Sequence, residues 1–195
     1  MDNIPLLEPV QNDYRELFIS NIDEDDFFEN ISTKYSNTIL DVFEYCLGED
    51  SKELQYLESS YFKLINEDKY LSFLEEVFLK NQEKCYVNID FSQVDFTFLL
   101  EQLSKMDLVD KHIYLKQERE FQNQKNKNFL IKDISLLKMF IKGILRETLR
   151  VDLYFPYKPL LLFSNFDLSL PLVFKKEKDK EDYRIMAEKY NLYFR

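Results

Sequence analysis

The sequence of 195 residues holds two glycines, Gly48 and Gly143, two cysteines, one histidine, one alanine and no tryptophan. With the glycines 95 positions apart, no loop exists whose backbone amides wrap a nucleotide phosphate, which excludes P-loop and dinucleotide-fingerprint sites. His112, Cys46 and Cys85 are too few for a zinc site built from cysteine and histidine alone. No metal and no cofactor is therefore expected. The cysteines stand 39 residues apart without a Cys-x-x-Cys, each on an apolar stripe of its segment, so both are expected as small buried thiols of a reducing cytoplasm. No run reaches the ~18 to 20 apolar residues of a bilayer span. The longest candidate, Leu160 to Phe174, is broken by Ser164, Asn165, Asp167 and Pro171. The first residues, Met1 to Pro5, lack the basic flank and apolar core of a secretory signal, so neither membrane insertion nor export is expected.

What the chain does have is charge, unevenly placed. Its net charge of −10 divides into −14 for residues 1–83, with 20 acidic and 6 basic side chains, and +4 for residues 84–195, with 16 acidic and 20 basic. The change falls near Asn81 to Lys84 and marks an acidic helical region, 1–83, followed by an α/β region, 84–195, as two parts or as one continuous domain. In the first part Asp23 to Asp26 suit a helix start ahead of Phe27, Phe28 and Ile31. Ile39, Val42, Phe43, Cys46 and Leu47 repeat at helical spacing and predict an amphipathic helix ended by Gly48. Leu54, Leu57, Tyr61, Leu64 and Ile65 predict a second core stripe, and Tyr70, Phe73, Leu74, Val77 and Phe78 a third, separated by a break at Asn66, Glu67 and Asp68.

After Lys84 the period changes. Cys85, Val87, Ile89 and Phe91 alternate with polar or aromatic neighbours and predict a strand with one buried face. A helix follows from Ser92 with Leu99, Leu100, Leu103 and Met106 inward; His112 to Lys116 is expected as a short strand, and Lys116 to Asn128 as a solvated loop or hairpin arm. Leu136, Leu137, Phe140, Ile141, Ile144 and Leu145 form the strongest helical stripe. Strands are predicted at Val151 to Phe155, Leu160 to Phe163 and Leu168 to Phe174, then a helix carrying Tyr183, Met186, Ala187 and Tyr190, then a terminal strand at Leu192 to Phe194. The order gives an α+β fold, with a mixed, largely antiparallel sheet packed with helices.

No catalytic motif emerges. A calcium loop starting at Asp23 requires glycine and glutamate where Phe28 and Lys34 stand. Asp90, Asp152 and Asp167 are strand-borne carboxylates that would serve a divalent metal only if they converge. His112 has the carboxylate of Asp110 nearby but no nucleophile turn, so it is expected as a surface or structural histidine. Lys138, Lys142, Arg146 and Arg150, spaced by four, form a basic ridge that either faces solvent or docks on acidic helices or an acidic partner.

The 18 phenylalanines and 13 tyrosines are material for interfaces or for a second core; Tyr154, Tyr157 and Tyr193 lie on strand faces opposite aliphatic residues or in adjoining turns. In class alone, a small, acidic, aromatic-rich chain without a cofactor site resembles the bacterial immunity proteins that neutralise basic toxins, and inhibitors of prophage or defence systems. That resemblance implies a non-catalytic inhibitor that occludes a basic, nuclease-like protein. Glu24, Asp25, Asp26, Asp41, Glu44, Glu49 and Asp50 would steer the encounter, and direct nucleic-acid binding is not expected because a net charge of −10 repels phosphate. The alternatives are a metal-dependent enzyme using the strand aspartates and a structural or assembly component.

Overall fold

A computed structural model describes residues 4–11, 31, 34–57, 59–92 and 96–195. The fold is α+β: among the described residues there are six helices and an eight-stranded sheet in which every pairing is antiparallel. In chain order the elements are β1 (Glu8–Pro9), β2 (Ser36–Asp41), α1 (Leu54–Leu57), α2 (Ser60–Lys80), β3 (Cys85–Asn88), α3 (Phe96–Ser104), α4 (Leu108–Phe121), β4 (Asn128–Ile131), α5 (Ile134–Leu145), β5 (Asp152–Phe155), β6 (Leu160–Leu162), β7 (Leu170–Phe174), α6 (Glu177–Glu188) and β8 (Tyr193–Phe194). Across the sheet the strands run β1-β4-β3-β5-β6-β7-β2-β8. Both edge strands are two residues long, which leaves little open edge for pairing with other chains.

The alternation read in the sequence from Cys85 onward sets the register. Cys85, Val87, Phe129, Ile131, Leu153, Phe155, Leu160, Leu162, Leu172 and Phe174 project into one core, packed beneath Tyr70, Phe73, Leu74 and Val77 of α2 and Leu136, Leu137, Phe140 and Ile144 of α5. Ile31, Tyr154, Leu161, Phe163 and Val173 form a smaller cluster, with Tyr35 and Tyr86 beside it. Tyr154 is thus core, stacked on Tyr86 at 6.0 Å, whereas Tyr157 is about half exposed under the Lys84 ammonium. The charge boundary at Asn81 falls in the turn between α2 and β3, yet the main core takes Leu40 and Phe73 from one side of it and Val87 and Leu153 from the other. Asn81 itself is buried and fastens the turn: its amide nitrogen donates to Val77 O and Tyr183 Oη, and its oxygen accepts from the Tyr157 and Lys158 amides.

Five sequence expectations are corrected. The helix predicted through Ile39 to Leu47 is instead β2 followed by bends: Ser36 to Leu40 pair with β7, and Leu40 and Asp41 with β8, so the sheet overrides a spacing that fits either period. Cys46 consequently lies exposed instead of buried, while Cys85 is buried as expected. The break at Asn66 to Asp68 is absent, because α2 runs unbroken for 21 residues with Asn66 donating back to Phe62 O inside the helix. The strand predicted at His112 is the middle of α4, capped by the Asp107 carboxylate, and the supposed loop after it begins as helix with Gln117 and Phe121 buried. Gln117 clamps the chain's early segment, accepting from Leu7 N at 2.9 Å and donating to Pro5 O at 2.9 Å. The helix start expected at Asp23 to Asp26 lies outside the described residues.

Scarce glycine leaves a mark on the backbone. Gln82, Glu83, Glu147, Asp167, Leu168 and Asn191 hold φ between 54° and 61°, a conformation that costs an L-residue about 1 kcal/mol or more, and neither glycine adopts it. Gly143 serves packing instead. A Cβ there would lie 2.5 Å from Leu149 Cδ1 and 2.7 Å from its Cγ, while the Gly143 carbonyl accepts from the Thr148 and Leu149 amides. Gly143→Ala should therefore destabilise the chain by about 1 to 3 kcal/mol in urea denaturation. An unchanged midpoint would show that buried Leu149 moves aside freely.

Candidate protein-binding surface

The acidic residues singled out in the sequence divide sharply by environment. Asp41, at the end of β2, is 1% exposed. Its carboxylate accepts from Arg195 Nε at 2.8 Å, Arg195 Nη2 at 2.5 Å, Ser169 Oγ at 2.7 Å and the Phe43 amide at 3.0 Å. Asp41 is an interior ion-pair member, and its burial removes it from any steering surface. Glu44, Glu49 and Asp50 are exposed on the segment between β2 and α1 and make no salt bridge with a described residue. Glu24, Asp25 and Asp26 lie outside the described residues.

The segment bearing these carboxylates is fastened at both ends. Phe43 and Tyr56 stack on Phe62 of α2 with ring centroids at 5.8 and 5.9 Å, and Arg195 Nη1 lies 2.9 Å from Cys46 Sγ. Residues 42–57 contain four acidic side chains and one basic one, Lys52. Tyr45 and Tyr56 stand about half exposed among them. Tyrosine offers a large, stiff contact area with a polar tip, so tyrosines set among carboxylates that make no salt bridge with a described residue suit recognition of a basic protein.

Of the stripe Leu54, Leu57, Tyr61, Leu64 and Ile65, predicted as core, Leu54 and Leu57 are half-buried in α1, whereas Tyr61, Leu64 and Ile65 face outward along α2. Tyr61 is 74% exposed, Leu64 53% and Ile65 52%. At 3.6 residues per turn they lie opposite Asn66, Tyr70, Phe73 and Val77, which hold α2 against the core. The sequence contained the signal, since a continuous helix places the second and third stripes on opposite sides; the polar triplet hid it by suggesting two helices.

Beside this face runs a groove of about 510 Å³. One bank is Lys63, Leu64 and Glu67 of α2, the other Lys105, Met106 and Asp107 between α3 and α4, and the floor is Leu145, Arg146 and Glu147. Its charges are satisfied internally. Arg146 grips Glu67 through Nε and Nη2, both at 2.7 Å, and donates to Lys105 O at 3.0 Å. Lys63 pairs with Glu147 at 2.5 Å, and Lys142 bridges Asp107 at 2.7 Å and Asp110 at 2.9 Å. Burial works to raise the Asp107 carboxyl, but Lys142 and the Asp110 amide hold it well below the usual carboxylate range. For the more deeply buried Asp110, desolvation prevails and its carboxyl is pushed up despite the same lysine. Glu147 resembles Asp107: burial opposes ionisation, and Lys63 overcomes it.

Comparison with protein-family models, curated proteins and solved structures gives no match. The chemistry rests on the residues alone.

The basic ridge docks inside the molecule. Lys138 pairs with Glu75 of α2 at 2.7 Å, Lys142 and Arg146 are held as described, and Arg150 lies over the Phe166 ring at 5.2 Å. Carboxylates on α2 and at the start of α4 thus neutralise Lys138, Lys142 and Arg146, whereas Glu44, Glu49 and Asp50 make no salt bridge among the described residues. Asp90 pairs with Lys127 at 2.7 Å and accepts from Ser92, Asp152 sits in β5 opposite Asn88, and Asp167 lies in the β6–β7 turn near Lys63. They do not meet: no group of three or more His, Cys, Asp or Glu that could hold a metal ion occurs among the described residues. His112 is exposed, its Nδ1 2.7 Å from Leu108 O. No helix of the described residues is long and apolar enough to cross a membrane.

Proposed function

We propose that this chain is a non-catalytic binding protein that occludes a basic protein partner, of the kind that bacterial immunity proteins provide against nuclease-like toxins in the cytoplasm. The observation that carries this reading is the pairing pattern. Lys138 and Lys142 of α5 and Arg146 just beyond it are neutralised by Glu75, Asp107, Asp110 and Glu67, whereas Glu44, Glu49 and Asp50 stand exposed, without a salt bridge to a described residue, beside Tyr45 and Tyr56. An acidic field accelerates encounter with a cationic surface, and exposed aromatics supply short-range affinity once the water between them is expelled.

The test is capture of the partner from a cell extract, followed by assay of the partner's nuclease activity with the chain added in increasing amounts. Loss of activity that is complete at one chain per partner is the expected result. A captured protein whose nuclease activity persists at saturation contradicts occlusion. Turnover of a small substrate by the chain itself contradicts a non-catalytic role.

A further inference from the structure

The outward face of α2 asks what covers it. Tyr61, Leu64 and Ile65 stand at i, i+3 and i+4, the spacing with which a helix presents one ridge to another helix, and each is more than half exposed. Leu64 also forms part of the groove bank, and across the groove Asp107 is followed by Leu108 and Val109, 70% and 66% exposed at the start of α4. An apolar seat therefore extends from the α2 ridge towards a second apolar rim.

The charges around that seat are mostly acidic, with Lys52 and Lys69 as the exceptions. Asp68, one turn beyond Leu64 and two beyond Tyr61, is exposed on the same side of α2. On the flank where Phe62 meets Phe43 and Tyr56 lies the segment carrying Glu44, Glu49 and Asp50. The lysines of the opposite flank are occupied, Lys63 by Glu147 and Lys105 by Glu101. A second copy of a chain with net charge −10 would bring carboxylate against carboxylate. A cationic occupant meets no such repulsion.

We infer that the α2 face and its groove receive a basic amphipathic helix of the partner, with apolar residues spaced at i, i+3 or i+4 against Tyr61, Leu64 and Ile65 and with lysine or arginine along the side facing residues 42–57. This rests on the reading of the chain as a binder of basic proteins and adds where and in what form the partner docks.

The probes are fluorescein-labelled peptides based on a leucine–lysine sequence, roughly 18 residues or five helical turns long. One has helical spacing, one has the same composition in scrambled order, and one has every lysine replaced by glutamate. Anisotropy titrations use the full chain, a Tyr61→Ser/Leu64→Ser variant and a Glu44→Lys/Glu49→Lys/Asp50→Lys variant, with circular dichroism and the urea midpoint confirming that each is folded. The helical lysine peptide should bind, the scrambled peptide should bind roughly tenfold more weakly, and the serine variant should lose roughly tenfold in affinity. The charge variant should bind more weakly with a flatter salt dependence, and the glutamate peptide should not bind. If helical and scrambled peptides bind alike, or the serine variant binds like the parent, the helix seat is wrong while attraction of basic partners stands. If binding of the lysine peptides is indifferent to salt and to charge reversal, the acidic-surface reading itself fails. Sedimentation that reveals a concentration-dependent dimer, abolished by the serine variant, would assign the face to a second copy and overturn the inference.

Discussion

Arg195→Met should destabilise the chain by about 3 to 5 kcal/mol, because it strands a buried carboxylate. Asp41 is 2% exposed at its side chain and Arg195 18%, and the guanidinium supplies two of the four hydrogen bonds that the carboxylate accepts. Methionine keeps much of the length and apolar stem but none of the charge. The residue also holds β2 by its backbone, since Arg195 N donates to Ile39 O at 3.0 Å and Ile39 N to Arg195 O at 2.9 Å; the substitution leaves these intact. The cost should therefore be electrostatic. Adding Asp41→Asn to Arg195→Met should recover most of it, since an uncharged amide can still bond Ser169 and the Phe43 amide. Equal urea midpoints for Arg195→Met and parent would show that water reaches Asp41.

Phe140→Ala should cost a similar amount, about 3 to 5 kcal/mol, by a different mechanism. Phe140 is fully buried in the core shared by α2, α5 and the sheet, and removing its ring leaves a cavity among residues that are themselves close-packed. The urea midpoint should fall with the slope of the transition retained, as expected for loss of stability without loss of cooperativity. A variant as stable as the parent would mean that the helix relaxes to fill the space.

The two substitutions also separate what the sequence discloses from what it conceals. The α5 stripe is legible because six apolar residues repeat at one period over three turns, the strands at Cys85, Val151 and Leu168 because their alternation leaves no competing helical reading, and that at Leu160 because a short unbroken apolar run fits a strand buried on both faces. The Asp41–Arg195 pair is not legible: its members lie 154 positions apart and meet only because β8 closes on β2. Residues 36–41 fit a helical stripe with Val42 and Phe43 as well as they fit a strand, and only pairing with β7 decides between them. In α4 the buried face is Ile113, Tyr114, Gln117 and Phe121, and the polar Gln117 at its centre breaks the apolar pattern that would announce a helix. The short β1 and β4 give no period at all.

The candidate surface was half legible for a related reason. Periodicity establishes that Tyr61, Leu64 and Ile65 share a side of a helix, but it cannot tell an inward stripe from an outward one. Composition finds the acidity of residues 1–83 and cannot say which carboxylates are spent within the fold. Asp41, Glu67 and Glu75 pair with Arg195, Arg146 and Lys138, and Glu44, Glu49 and Asp50 remain on the outside.

The central claim is that these remaining carboxylates steer a basic partner, and stopped-flow association with the captured partner tests it most directly. The parent chain should associate faster at low than at moderate salt. Reversing Glu44, Glu49 and Asp50 to lysine should slow association at low salt, flatten the salt dependence and leave dissociation nearly unchanged. Association rates that coincide for parent and variant at both salt concentrations would contradict the account.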